Sequence, residues 1–149
     1  MLLPEWAKKY IGIPFVELGR DIKGCDCWGL TRLICMNELG FTVPSFTEKY
    51  ESTYKGENVK DALDTLGVKD KHWDEIEVGK EELGDHVLMY GIYEIEGKKI
   101  RAPMHVGLVL IPGTMIHIEE NIDSVLCPYR EDRHMKRRVI GFYRFRGAK

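Results

Sequence analysis

Three side chains, far apart in the chain, are of the types that acyl transfer needs. Cys27 stands in Gly24-Cys25-Asp26-Cys27-Trp28-Gly29-Leu30-Thr31, and two imidazoles follow in His105-Val106-Gly107-Leu108 and Met115-Ile116-His117-Ile118. A cysteine that opens an apolar helix after a glycine turn meets free backbone N–H groups and the positive end of the helix dipole. Both favour the thiolate, the form that attacks a carbonyl carbon. Asp26 is placed to cap the same helix by accepting from its first-turn N–H groups. The histidines lie twelve residues apart with Pro112-Gly113 between them, so a hairpin can set the rings side by side. In that arrangement Cys27 is the nucleophile, His105 the base that later returns a proton to the leaving amine, and His117 the group that fixes the His105 tautomer. The Cys27 N–H is a natural donor to the oxyanion. The competing reading of Cys27, a small buried hydrophobe on an amphipathic helix, needs none of this convergence.

These residues require one helix and a hairpin, and the pattern supplies both. Pro4 suits the first turn of a short helix ending near Gly12. The loop around Gly19-Arg20-Asp21-Ile22-Lys23-Gly24 delivers the chain into the central helix, which a left-handed cap at Gly40 should stop. Residues 44–82 are aromatic, polar and weakly periodic. They read as a variable insertion packed beside the core, with one helix over 58–66; Tyr50, Tyr54, His72 and Trp73 could pack there or line a groove. After Gly84-Asp85 the period becomes that of strands, expected at 85–93, from 100 or 104 to 111, at 114–119, near 124–127 and at 138–145. Short connections make them mostly antiparallel neighbours. A helix followed by a meander of about five strands is an α+β domain, with the helix laid on one face of the sheet.

Composition is that of a single globular domain. The chain has 149 residues, 44% hydrophobic and 31% charged, with a formal net charge of −2. That length buries a sizeable core without staples, and the charge gives no support to a nucleic-acid surface. Arg133, Lys136, Arg137 and Arg138 read as a basic loop leading into the last strand. Cys25, Cys27, Cys35 and Cys127 suggest no disulfide pairing, as expected of thiols kept reduced in the cytosol. The N-terminus lacks the apolar core and cleavage site of a signal peptide, and no run is long enough to span a bilayer.

The ordered set Tyr10-Ile11-Gly12-Ile13-Pro14-Phe15, Gly24-Cys25-Asp26-Cys27-Trp28-Gly29-Leu30, Leu83-Gly84-Asp85-His86-Val87, His105-Val106-Gly107-Leu108 and Met115-Ile116-His117 resembles the NlpC-type cell-wall cysteine peptidases, a papain-like family. The resemblance implies one domain over 1–149 outside the insertion, with the cysteine-bearing helix packed on an antiparallel sheet that carries both histidines. It implies hydrolysis of amide bonds in peptidoglycan stem peptides, commonly next to D-glutamate, by Cys27, His105 and His117, with no metal or organic cofactor. Asp26-Cys27-Trp28-Gly29-Leu30 together with Arg138-Val139-Ile140-Gly141-Phe142-Tyr143-Arg144 is most similar to the bacteriophage tail and prophage members. Such a protein would act at the cell wall as part of a virion or after lysis, with tail proteins as partners and neither nucleic acid nor membrane.

Two departures bear on substrate binding. Trp28 replaces the serine that many members carry after the nucleophile, and Phe15 replaces a tyrosine, so a hydroxyl near the thiol is absent. Asp26, Trp28 and Phe15 are the candidate oxyanion and substrate residues. Three other readings compete: a non-catalytic tail-tip subunit of the same fold, a related amidase, and a zinc site built from Cys25, Cys27, Cys127 and His134. The last departs from structural-zinc spacing, because no second close pair follows the Cys-x-Cys. His72, His86 and His134 read as surface or satisfied polar groups, Asp85 as shaping the turn into its strand, and Cys35 as core.

Overall fold

The computed structural model describes residues 2–43 and 73–147. A 3₁₀ helix at Glu5–Tyr10 follows Pro4 and buries Ala7 and Tyr10. The hairpin of β1 (Arg20–Asp21) and β2 (Gly24–Cys25) then turns the chain into α1 (Cys27–Ile34). Asp26 caps α1 as expected, its carboxylate accepting from the Gly29 N–H at 2.8 Å. Gly29 is required by close approach: a Cβ there would lie 1.9 Å from the Gly19 carbonyl oxygen. The helix stops at Gly40, whose φ of 77° is the left-handed cap the sequence called for. Its final stretch, Cys35–Leu39, widens to π-type winding, and the Gly40 N–H closes back on the Cys35 carbonyl.

The main sheet has six antiparallel strands rather than about five, in the order β3-β8-β4-β5-β6-β7. They are β3 (Trp73–Ile76), β4 (His86–Ile95), β5 (Lys98–Ile111), β6 (Thr114–Glu119), β7 (Ile122–Cys127) and β8 (Val139–Phe145). The extra strand, β3, falls inside the stretch read as an insertion. It pairs with β8 at the sheet edge and sends Trp73 into the core, so that end of the stretch belongs to the sheet. The expected helix at 58–66, with Tyr50, Tyr54 and His72, lies outside the described residues. The basic segment is a short helix, α2 (Arg133–Arg138), rather than a loop; Asp132 caps it by accepting from the Met135 N–H at 3.0 Å.

Strand alternation divides the core into two sides. Leu108 and Leu110 of β5 and Ile116 and Ile118 of β6 pack with Leu30 and Ile34 of α1. Each such side chain, fully buried, stabilises the fold by about 1.5–3 kcal/mol before entropy is charged against it. On the other face Val87, Met89, Val109, Met115 and Phe142 form a separate cluster with Tyr129. A third cluster, of Cys27, Trp28, Val43, Trp73 and Val106, sits at the head of α1. All four cysteines are buried and free. No helix among the described residues is long and apolar enough to cross a membrane.

Candidate active site

Cys27 is the first residue of α1, and what holds it there is Asp26. That carboxylate is fully buried and accepts from the Gly29 and Leu18 N–H groups and, at 2.7 Å, from Arg20 Nη1. The helix head is thus fixed to the loop before it by one satisfied, charge-compensated side chain.

The sulfur meets the sheet where β5 and β6 part. Their pairing ends at Leu108↔Ile116. Val109 donates to Asp85 on the β4 side, so by alternation the Val106 N–H points toward β6, into the opening. That N–H and the Trp28 N–H are turned on the Cys27 sulfur. They do not suffice to ionise it: burial, followed by the Asp26 charge, pushes the thiol up to about 12. The helix-dipole argument from sequence therefore meets a larger desolvation effect, and the thiol is neutral at neutral pH.

His105 and His117 come together as the hairpin predicts. His105 Nε2 and His117 Nδ1 are 2.9 Å apart, and the rings are edge to face with centroids at 5.1 Å. Gly107 makes room for this pairing, since a Cβ there would lie 2.7 Å from Met115 Sδ and 3.3 Å from His117 Cβ. Both imidazoles are buried, and burial lowers the basicity of each. For His105, His117 and then Arg138 add to that effect, while for His117 the Glu119 charge opposes it.

The pleat places His105 with its partner Met89 and with Val109 on the face away from α1, while Val106 faces Cys27. The thiol and the imidazoles therefore approach the β5/β6 opening from its two sides. Val106 links them, and no hydrogen bond joins sulfur to ring in this conformation.

Sequence reading did not single out two further members of the cluster. Glu119 Oε1 lies 3.3 Å from His105 Nε2 and 3.6 Å from His117 Nδ1, and Arg138 Nη2 is 2.6 Å from the same oxygen. The Arg138 contact is one of charge without hydrogen-bond alignment, because Glu119 Oε1 is buried and accepts no well-formed hydrogen bond. A strand-ending glutamate and one arginine of a basic run carry no signal of their own in the sequence.

The remaining candidates separate. Trp28 packs in the cluster that holds Cys27, with its ring against Trp73 and His86. Phe15 bridges to Cys25 and packs on the α1 core; with Pro14, Glu17, Glu120, Asn121, Ile122 and Asp123 it lines a pocket that does not include Cys27. His86 is not a surface or satisfied group but is buried, with no hydrogen bond to either ring nitrogen among the described residues. Asp85 is buried as well and binds Arg144 through both oxygens, at 2.8 and 2.9 Å, besides capping the turn at Glu82. The four-residue zinc set is not assembled. Among the described residues, only His105, His117 and Glu119 group their ligand atoms closely enough to hold an ion.

The sequence profile described as the NlpC/P60 family matches residues 12–144. The chain belongs to the NlpC/P60 family. Its fold is similar to that of a lipoprotein-like NLP/P60 protein of Staphylococcus aureus, at 20% identity and a TM-score of 0.58. That match covers 94% of this chain and 39% of the staphylococcal one, so the chain spans well under half of that relative's length. It is also similar to the NlpC/p60 domain of the peptidoglycan hydrolase SagA, at 22% identity and a TM-score of 0.53, covering 92% of this chain and 90% of that domain. No curated protein matches the chain significantly. Family membership and both structures agree with the papain-like α+β architecture expected from the motifs.

Proposed function

We propose that this NlpC/P60 domain is a cysteine peptidase that hydrolyses amide bonds in peptidoglycan stem peptides, with Cys27 as nucleophile, His105 as base and acid, and His117 as orienting group. The observation that carries the reading is the 2.9 Å pair of His105 Nε2 and His117 Nδ1 beside the strand opening where the Val106 N–H is turned on the Cys27 sulfur. With Nε2 engaged by His117, His105 keeps Nδ1 for the thiol. The Sγ–H proton passes to Nδ1, the sulfur attacks the carbonyl carbon, and the Cys27 N–H, which has no acceptor within α1, receives the oxyanion. His105 then gives the proton to the departing amine, and water, activated by the same ring, releases the acyl group from sulfur. Since thiol and ring share no hydrogen bond in this conformation, substrate must draw them into reach.

The motif resemblance extends the proposal to a bacteriophage tail or prophage enzyme that acts on the wall from a virion. Trp28 and Phe15, both lacking a hydroxyl, then shape an apolar approach for the stem peptide, and Asp26 acts by holding the helix head.

A second reading is favoured by one specific observation, the full burial of the thiol: a tail-tip subunit that keeps the fold without turnover. Digestion of purified peptidoglycan under reducing conditions separates the two. The wild type should release fragments whose masses show a cut within the stem peptide, and Cys27→Ala should release none. Equal activity of wild type and Cys27→Ala, or none from either, rejects the catalytic reading, and release of intact stem peptides would make the enzyme an amidase.

A further inference from the structure

The geometry points to a zinc-type divalent cation site at His105, His117 and Glu119 that switches the enzyme off. Its inhibitory consequence rests on the role of His105 proposed above, whereas the binding itself does not. The three facing atoms, His105 Nε2, His117 Nδ1 and Glu119 Oε1, form a triangle with sides of 2.9, 3.3 and 3.6 Å. In a tetrahedral site with bonds of about 2.0–2.1 Å, neighbouring ligand atoms lie about 3.3 Å apart. The side chains thus already outline one face of such a tetrahedron, and the fourth position falls to water or substrate.

Two imidazoles and one carboxylate suit zinc and the neighbouring transition metals rather than calcium or magnesium, which take oxygen ligands. A second observation points the same way: Glu119 Oε1 is buried against the two rings without accepting a hydrogen bond. Arg138, 2.6 Å from that oxygen, opposes a cation by its charge but also fixes the carboxylate. Glu119 is the most exposed of the three, at 26% for its side chain, and gives the ion its way in.

Occupancy has a defined effect on the chemistry. The two facing ring nitrogens share one proton, the Nε2–H that His105 directs at His117 Nδ1. An ion that takes both nitrogens moves that proton through solvent to His105 Nδ1, so His105 then holds the metal on Nε2 and its one proton on Nδ1. No basic nitrogen is left for the Cys27 thiol, so acylation stops until the ion leaves.

The test uses the full chain with Co²⁺ as a spectroscopic probe and Zn²⁺ as the inhibitor. One Co²⁺ per chain should bind and give d–d bands without a thiolate-to-cobalt charge-transfer band, and Cys27→Ala should bind it unchanged. Glu119→Gln, which keeps the side-chain volume, should weaken Co²⁺ binding by about tenfold or more. Zn²⁺ should abolish peptidoglycan hydrolysis by the wild type, a chelator should restore it, and Glu119→Gln should need correspondingly more Zn²⁺. No stoichiometric binding, a thiolate band, or equal affinity in Glu119→Gln would overturn the site. Binding there with undiminished hydrolysis would overturn the switch. Metal-free activity reports on the proposed function alone, so the two readings fail separately.

Discussion

His86 lies tilted against Trp28 and edge to face with Trp73, with centroid distances of 5.6 and 4.8 Å, and burial lowers its pKa to about 4. The Gly84 carbonyl pulls slightly the other way without forming a hydrogen bond of good geometry. The folded state therefore holds a neutral ring where the unfolded chain would bind a proton below about pH 6.5. Its contribution is fully present above that pH and is lost as pH falls toward 4, about 3 kcal/mol across the window. In urea unfolding followed from pH 7 to pH 4, His86→Leu should lose less stability than the wild type over that interval; parallel curves would show that His86 does not carry the acid sensitivity. None of this was legible from residue type, since a histidine next to Asp85 reads as a polar turn neighbour. Cys27, His105 and His117 are legible as candidates because their chemistry and spacing repeat a known order, and of the three the structure pairs His105 with His117. Glu119 and Arg138 were not, because only the β6 register and the end of α2 bring them to the rings.

At the level of elements, the head of α1 depends on contacts that local propensity would undervalue. Ala is a better helix former than Gly by about 1 kcal/mol, yet a methyl at position 29 would sit 1.9 Å from the Gly19 carbonyl. Forcing the loop away costs about 1–3 kcal/mol and pulls Arg20 from Asp26. Gly29→Ala should therefore lose stability on balance, and peptidoglycan release should fall more steeply than the Tm, because the displaced loop carries the cap that sets Cys27. Removing the cap itself, Asp26→Ala, takes the carboxylate acceptor from two N–H groups and the counter-charge from Arg20, which keeps its bond to the Gly19 carbonyl, and should cost about 3 kcal/mol in chemical denaturation. A cost below 1 kcal/mol would mean that solvent replaces the carboxylate. The cap, the Gly40 stop and five of the six sheet strands were readable from pattern. β3 was hidden because Trp73-Asp74-Glu75-Ile76 is too short to show a period, and the π-type end of the helix left no mark in residue type.

Across the whole molecule, the closing strand decides cohesion: β8 enters between β3 and β4, a placement no local pattern reports because its partners lie far back in the chain. Arg144 on β8 ties it there by its paired bonds to Asp85, just before β4. The two partners are unequally buried, with Asp85 at 1% side-chain exposure and Arg144 at 27%. Removing either breaks the pair, but the consequences differ. Arg144→Leu leaves a carboxylate buried without its counter-charge, which costs about 3–5 kcal/mol. Asp85→Leu leaves a guanidinium that can reach water and the Glu82 carboxylate, 3.4 Å away, so its cost should be nearer that of the lost hydrogen bonds, about 1–3 kcal/mol. At roughly 3 °C per kcal/mol for a chain of this size, Arg144→Leu should melt several degrees below Asp85→Leu. The double variant, with no orphaned charge, should lie above Arg144→Leu alone. Equal Tm values for the two single variants would show that solvent already reaches Asp85, and the strand would then be held by its backbone ladder and the Phe142 and Phe145 contacts alone.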